Sequence, residues 1–155
     1  MDQARKEFSI KSLDKLKNFE EDVFISFIIL YIGLNALYGE SSGYVREKEK
    51  IKIFFKHNES SISGILKNNV YDLHKIVDYI KIEPQHRKLS EFVKTKRGFL
   101  NNSPDVEHFA EFIYQVRNNM FHAAKLWDED SEAELLKKIN PVLESILRKI
   151  TSTTI

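Results

Sequence analysis

Apolar residues recur along most of the chain at intervals of three and four positions, the spacing that places them on one face of an α-helix. Such patterns predict helices over residues 4–18, 20–38, 44–57, 85–97 and 104–127, and another from about residue 131 onward. The clearest stripe predicts one helix over residues 61–83 and consists of Ile62, Ile65, Leu66, Val70, Leu73, Ile76, Val77 and Ile80. No segment shows the alternation of a β-strand, and five Gly and three Pro leave few turns. The sequence therefore predicts a single all-α domain over residues 1–155, an antiparallel helical bundle.

The ends of the last two helices carry recognisable signals. Ser103 can cap the helix over 104–127, and Pro104 suits its first turn. Ser131 and Glu134 have the spacing of a capping box and predict the start of the final helix. Pro141 lies inside that helix, where it removes one backbone hydrogen bond and predicts a kink.

Residues 23–38, VFISFIILYIGLNALY, are the most apolar segment of the chain. The segment is shorter than the roughly 20 residues that span a bilayer, and acidic residues flank it on both sides. A buried bundle helix is therefore favoured over a membrane span. The N-terminal residues are polar and show no signal-peptide pattern, so we expect a soluble, cytoplasmic protein.

Composition excludes several kinds of chemistry. The chain has no Cys, so disulfides, thiolate zinc sites and thiol nucleophiles are excluded. The five His form no metalloprotease-type pair, and there is no Gly-rich phosphate loop, so we expect neither a metal nor a cofactor. The formal net charge is +1, and an anion site therefore requires local clustering of cations.

The helix predicted over 104–127 carries polar residues beside its core face. Arg117 lies on the flank of that face, Asn118 lies further round, and His122 lies almost opposite. Asn118 and His122 are four residues apart and share one face, which Arg117 can reach. A plain surface histidine is the ordinary alternative. The core face itself consists of Val106, Phe109, Ile113, Val116, Met120 and Trp127.

These three side chains suit phosphodiester chemistry. A guanidinium binds a phosphate bidentately, and an imidazole can take a proton from a hydroxyl. A phosphodiester with an adjacent 2′-hydroxyl is RNA. Tyr114 and Phe121 extend the apolar surface beyond the core face, which indicates a second contact beside this group, from another helix or a partner subunit.

The segment RNNMFH resembles the motif of the HEPN superfamily of α-helical domains, an Arg followed by four to six residues and a His, often with Asn directly after the Arg. Arg117, Asn118 and His122 are the matching residues. The segment ILYIGLNALYGE at 29–40 is also similar to the first core helix of many prokaryotic members, and the chain resembles the ribonuclease and toxin branch of the superfamily.

This resemblance implies a metal-independent endoribonuclease that acts as a homodimer, with paired motifs at the two-fold interface. His122 is implied as the proton-transfer group and Arg117 as the stabiliser of the phosphorane. Asn118 is implied to orient the histidine or the phosphate. The products are then a 2′,3′-cyclic phosphate and a 5′-hydroxyl. Many similar proteins act as toxins or in phage defence, which implies an antitoxin partner, for example a nucleotidyltransferase-like protein.

The family also contains non-catalytic members, so a nucleotide-binding or assembly module of the same fold is the alternative function. Lys125 neighbours the motif and is the best candidate for a contact with RNA phosphates. Lys96 and Arg97 are further candidates, in a basic run whose ordinary interpretation is a solvated helix face.

Overall fold

The computed structural model describes residues 3–38, 46–80, 87–122 and 129–153, and these residues form α-helices and short 3₁₀ turns without any strand. The predicted all-α bundle is confirmed. The helices are α1 (Gln3–Leu16), α2 (Val23–Leu37), α3 (Glu47–His57), α4 (Glu59–Asn68), α5 (Val70–Ile80), α6 (Arg87–Thr95), α7 (Val106–His122) and α8 (Glu129–Thr153).

Helix α2 packs closely against α1 and α8. Asp22 caps its N-terminus, because Oδ1 accepts hydrogen bonds from the backbone N–H groups of Phe24 and Ile25 at 3.1 Å. Gly33 permits the close approach of the other two helices, since a Cβ there would lie 2.8 Å from Leu147 Cδ2. Among the described helices, none is long and apolar enough to cross a membrane.

Helix α7 is buried along most of its length and packs against α3 and α6. The predicted core face is confirmed from Val106 to Met120, whereas Trp127 lies outside the described residues. The rings of Phe99, Phe109 and Phe112 pack together at centroid distances of 5.0 to 6.4 Å. This aromatic cluster fixes α7 against the 3₁₀ turn Gly98–Leu100.

The predicted helix over 61–83 is wrong in one respect, because α4 and α5 divide at Asn69. The Asn69 side chain donates to the backbone carbonyl of Ile65 at 2.7 Å, and this bond competes with helix continuation. Apolar spacing alone does not reveal the break, since the residues on both sides of Asn69 are buried in one core.

Two predicted caps are also corrected. Helix α7 is capped by Asp105, not Ser103, because Asp105 Oδ1 accepts from the N–H groups of Glu107 and His108 at 3.0 and 3.2 Å. Helix α8 begins at Glu129, two residues before Ser131, and includes Pro141.

Candidate functional site

Helix α7 carries Arg117 and Asn118 about three turns after its start. Both side chains are half-buried, in contrast to the buried core positions Val116 and Met120 beside them. The helix places them opposite the N-terminal turn of α3, where Glu47 is the first residue. The predicted position of Arg117 on the flank of the core face agrees with this partial burial.

The guanidinium of Arg117 is held from three sides. Nη1 donates to Asn118 Oδ1 at 3.0 Å, and Nη2 lies 3.7 Å from Glu47 Oε2. The guanidinium carbon lies 5.8 Å from the ring centroid of Tyr31, within the range of a cation–π contact. Contacts from α7, α3 and α2 therefore fix the orientation of this cation.

Glu47 joins Arg117 to Tyr31. The Tyr31 hydroxyl donates to Glu47 Oε1 at 2.9 Å while the other carboxylate oxygen faces Arg117. Burial, together with the hydrogen bond and charge of Glu47, raises the pKa of Tyr31 far above its ordinary value. Tyr31 therefore remains a neutral hydrogen-bond donor at any physiological pH.

A cavity of about 190 Å³ opens between α2 and these residues. At roughly 30 Å³ per water molecule it has room for several waters, and hence for a phosphate group. Its polar lining consists of Tyr31, Asn35, Glu47 and Arg117, and its apolar lining includes Ile28 and Ile32. A guanidinium at the edge of such a cavity can bind an anion that enters it.

The predicted site residues are described to different extents. His122 is the last residue of α7 and follows Asn118 by about 6 Å along the helix axis, and its side chain lies outside the described residues. Lys125 lies outside the described residues entirely. Lys96 and Arg97 do not line the cavity: Arg97 is exposed, and Lys96 Nζ lies 2.8 Å from Glu111.

Glu47 and Tyr31 are absent from the sequence-based site. Tyr31 lies in an apolar helix, where it reads as a core residue, and Glu47 begins a run of mixed charge. Both are about 70 or more positions from Arg117, so no local spacing connects them. For Tyr31 the sequence signal is a polar atom within an otherwise apolar helix, and Asn35 in the same helix gives the same signal.

No group of three or more His, Asp or Glu side chains that could hold a metal occurs within the part of the chain that the structure describes. Comparisons with known proteins add no constraint, since no family model, curated protein or solved structure matches this chain. The chemistry of the site therefore rests on Arg117 and its neighbours.

Proposed function

We propose that this chain is a metal-independent endoribonuclease of the HEPN type that cleaves RNA by attack of a ribose 2′-hydroxyl on the adjacent phosphorus. The observation that carries the proposal is the fixed guanidinium of Arg117 at the edge of a cavity, on the same helix as His122. A fixed cation stabilises the charge of a phosphorane without reorganising during the reaction, which is the main source of electrostatic catalysis.

In the proposed reaction the 2′-oxygen bonds to phosphorus and the bond from phosphorus to the 5′-oxygen breaks. One group takes the proton of the 2′-hydroxyl, and another delivers a proton to the leaving 5′-oxygen. His122 performs one of these transfers, and the His122 of a second copy performs the other. Arg117 binds the phosphorane, and Asn118 orients that guanidinium through the hydrogen bond that it accepts. The products are a 2′,3′-cyclic phosphate and a 5′-hydroxyl.

The homodimer in this proposal is supported by the surface of α2. This helix is apolar on all sides, and such helices are normally covered on all sides. Ile25 and Ile32 are nevertheless exposed, and they share one face because they are seven residues apart. Ile32 also lines the cavity beside Arg117, so a second copy on this face lies directly beside the candidate site.

The test is cleavage of a labelled single-stranded RNA by the purified chain in the presence of EDTA. We expect fragments ending in a cyclic phosphate, and a loss of rate of at least about 100-fold in both Arg117→Ala and His122→Ala. Arg148→Ala and His57→Ala are matched controls, since both residues are exposed and lie outside the cavity. The controls should retain the full rate.

The alternative is a non-catalytic assembly module of the same fold that docks a partner such as a nucleotidyltransferase-like antitoxin. One observation favours it: the Glu47 carboxylate already pairs with one side of the Arg117 guanidinium, as in a structural ion pair. No cleavage by the wild type, or cleavage that survives both substitutions, supports this alternative and contradicts the ribonuclease. In cells, the ribonuclease predicts growth inhibition that His122→Ala relieves.

A further inference from the structure

A second polar cluster lies on α7, one and a half turns before Arg117. Its centre is Glu111, a buried residue with 3% exposure. Three ammonium groups surround this carboxylate: Lys96 Nζ at 2.8 Å, Lys52 Nζ at 3.0 Å and Lys48 Nζ at 3.8 Å. Lys48 and Lys52 come from α3, whereas Lys96 follows α6.

Glu111 and Lys52 are both charged at neutral pH. Burial alone raises the pKa of Glu111, but the hydrogen bonds and charges of Lys96 and Lys52 outweigh it and hold the pKa below its ordinary value. The hydrogen bond to Glu111 raises the pKa of Lys52. The carboxylate therefore stays ionised and keeps the three cations together.

Lys48 and Lys96 carry the positive charge at the rim of the cluster. Lys52 has a second acidic neighbour, Glu49, at 3.9 Å, and Glu107 acts on it at longer range. For Lys48 and Lys96, Glu111 is the single carboxylate within 4 Å among the described residues. Lys48 and Lys96 thus share one carboxylate, whereas Lys52 is also balanced by Glu49. The side chains of Lys48 and Lys96 are 37% and 43% exposed, so an anion from solvent can reach them.

The cluster and the candidate site lie along one seam. Helices α3 and α7 run antiparallel, because Glu47 pairs with Arg117 while Lys52 pairs with Glu111. Glu111 and Arg117 are six positions apart on α7, about 9 Å along the helix axis. At about 3.4 Å per stacked nucleotide, an RNA strand covers that distance in about three nucleotides.

We infer that Lys48, Lys52 and Lys96, held together by buried Glu111, bind backbone phosphates of a single-stranded RNA that runs along the seam between α3 and α7. The inference rests on the proposed function, because it places the RNA on the same seam as Arg117. Glu111 acts as a positioning residue: it holds the ammonium groups close together despite their mutual repulsion. Contacts of this kind carry affinity without base specificity.

Binding can be measured without cleavage by using a fluorescent 2′-O-methyl RNA of about 12 nucleotides, which has no free 2′-hydroxyl. The full chain is titrated by anisotropy over a range of salt concentrations. For single strands, each lost phosphate contact lowers the magnitude of the salt slope by about 0.7. We expect this change in Lys48→Gln and in Lys96→Gln. If variant and wild type bind equally at 1 M salt, the Kd of each variant at 0.1 M salt should be about fivefold higher than that of the wild type.

Two further variants keep the test specific. Lys96→Arg retains the charge and should restore the slope. Lys137→Gln removes an exposed lysine on α8 that pairs with Glu134, and it should leave the slope unchanged. An unchanged slope in both Lys48→Gln and Lys96→Gln overturns the inference, since the lysines then serve only to connect helices. Equal binding of a polyglutamate peptide also overturns it, because the cluster then prefers acidic protein.

The binding assay and the cleavage assay can fail independently of each other. If the wild type cleaves RNA but the lysine variants bind and cleave normally, this inference fails and the ribonuclease stands. If the wild type does not cleave RNA but the slope depends on Lys48 and Lys96, the ribonuclease fails and a single-stranded RNA-binding surface stands.

Discussion

At the residue scale, His108 and Gly98 show how a polar pair can be structural. The N–H of Gly98 donates to Nδ1 of His108 at 3.1 Å, and the Gly98 carbonyl accepts from the N–H of Asp105 at 3.0 Å. The chain before α7 is thereby bound to the first turn of that helix. His108 thus has a structural explanation that requires no substrate.

Gly98→Ala should destabilise the protein by about 1–3 kcal/mol, the usual cost of overpacking. A Cβ at this position would contact Nδ1 of His108 and lie 2.8 Å from Asp105 Cβ, so the turn must shift. Gly64→Ala is the matched control, because nothing lies within 4 Å of its added Cβ in the interior of α4. It should stabilise by about 0.5–1 kcal/mol. Urea unfolding measures both, and equal effects of the same sign contradict this account.

The candidate site also shows what single residues reveal in sequence. Arg117, Asn118 and His122 lie within six positions of one another, so helical spacing predicts that they share one region. Glu47 and Tyr31 complete the contacts of Arg117 from two other helices. Their contribution depends on how α2 and α3 pack on α7, and apolar periodicity specifies which faces are buried but not which helices meet.

At the element scale, the helices themselves were largely predictable. The predictions for α1, α2, α3 and α6 differ from the structure by a few residues at their ends, and α7 begins two residues later than predicted, because apolar spacing identifies the interior of a helix and caps decide its limits. The division at Asn69 and the cap at Asp105 were not predicted. Each depends on a side-chain hydrogen bond that other polar residues nearby in the sequence could equally make.

Glu111 connects three segments through one carboxylate, and this gives a pH prediction. Its folded-state pKa is lowered, so its contribution to stability is present above the unfolded pKa and is lost as pH falls through the folded pKa. The melting temperature of the wild type should therefore decrease once the pH is lowered past about 4.5, the ordinary pKa of a glutamate. Glu111→Gln should lack this part of the acid transition and should cost about 1–3 kcal/mol at neutral pH.

Glu134→Gln is the matched control for that measurement. Glu134 also pairs with a lysine, Lys137 at 2.9 Å, but both side chains are substantially exposed. Exposed pairs contribute about 0–1 kcal/mol, so this variant should retain the stability and acid transition of the wild type. If both variants give the same pH profile, the buried position of Glu111 has no special role in connecting α3 and α7.

At the scale of the whole molecule, the proposed dimer depends on one apolar face of α2. Ile32→Glu should convert the dimer to a monomer, because a carboxylate in an apolar interface carries a large desolvation cost. Ile53→Glu is the matched control, since Ile53 on α3 is 49% exposed and Ile32 is 45% exposed. Sedimentation velocity measures the mass of each variant, and a wild-type monomer rules out the proposed interface.

The proposed dimer also predicts how activity responds when wild-type and mutant subunits are mixed. If each cleavage needs His122 from both copies, a dimer that contains one His122→Ala subunit is inactive. Activity then falls with the square of the wild-type fraction, to about one quarter when half of the exchanged subunits are mutant. Chains that act alone lose activity in linear proportion, and about one half then remains. A linear dependence after complete subunit exchange contradicts a shared site, even if the chain is a dimer and cleaves RNA.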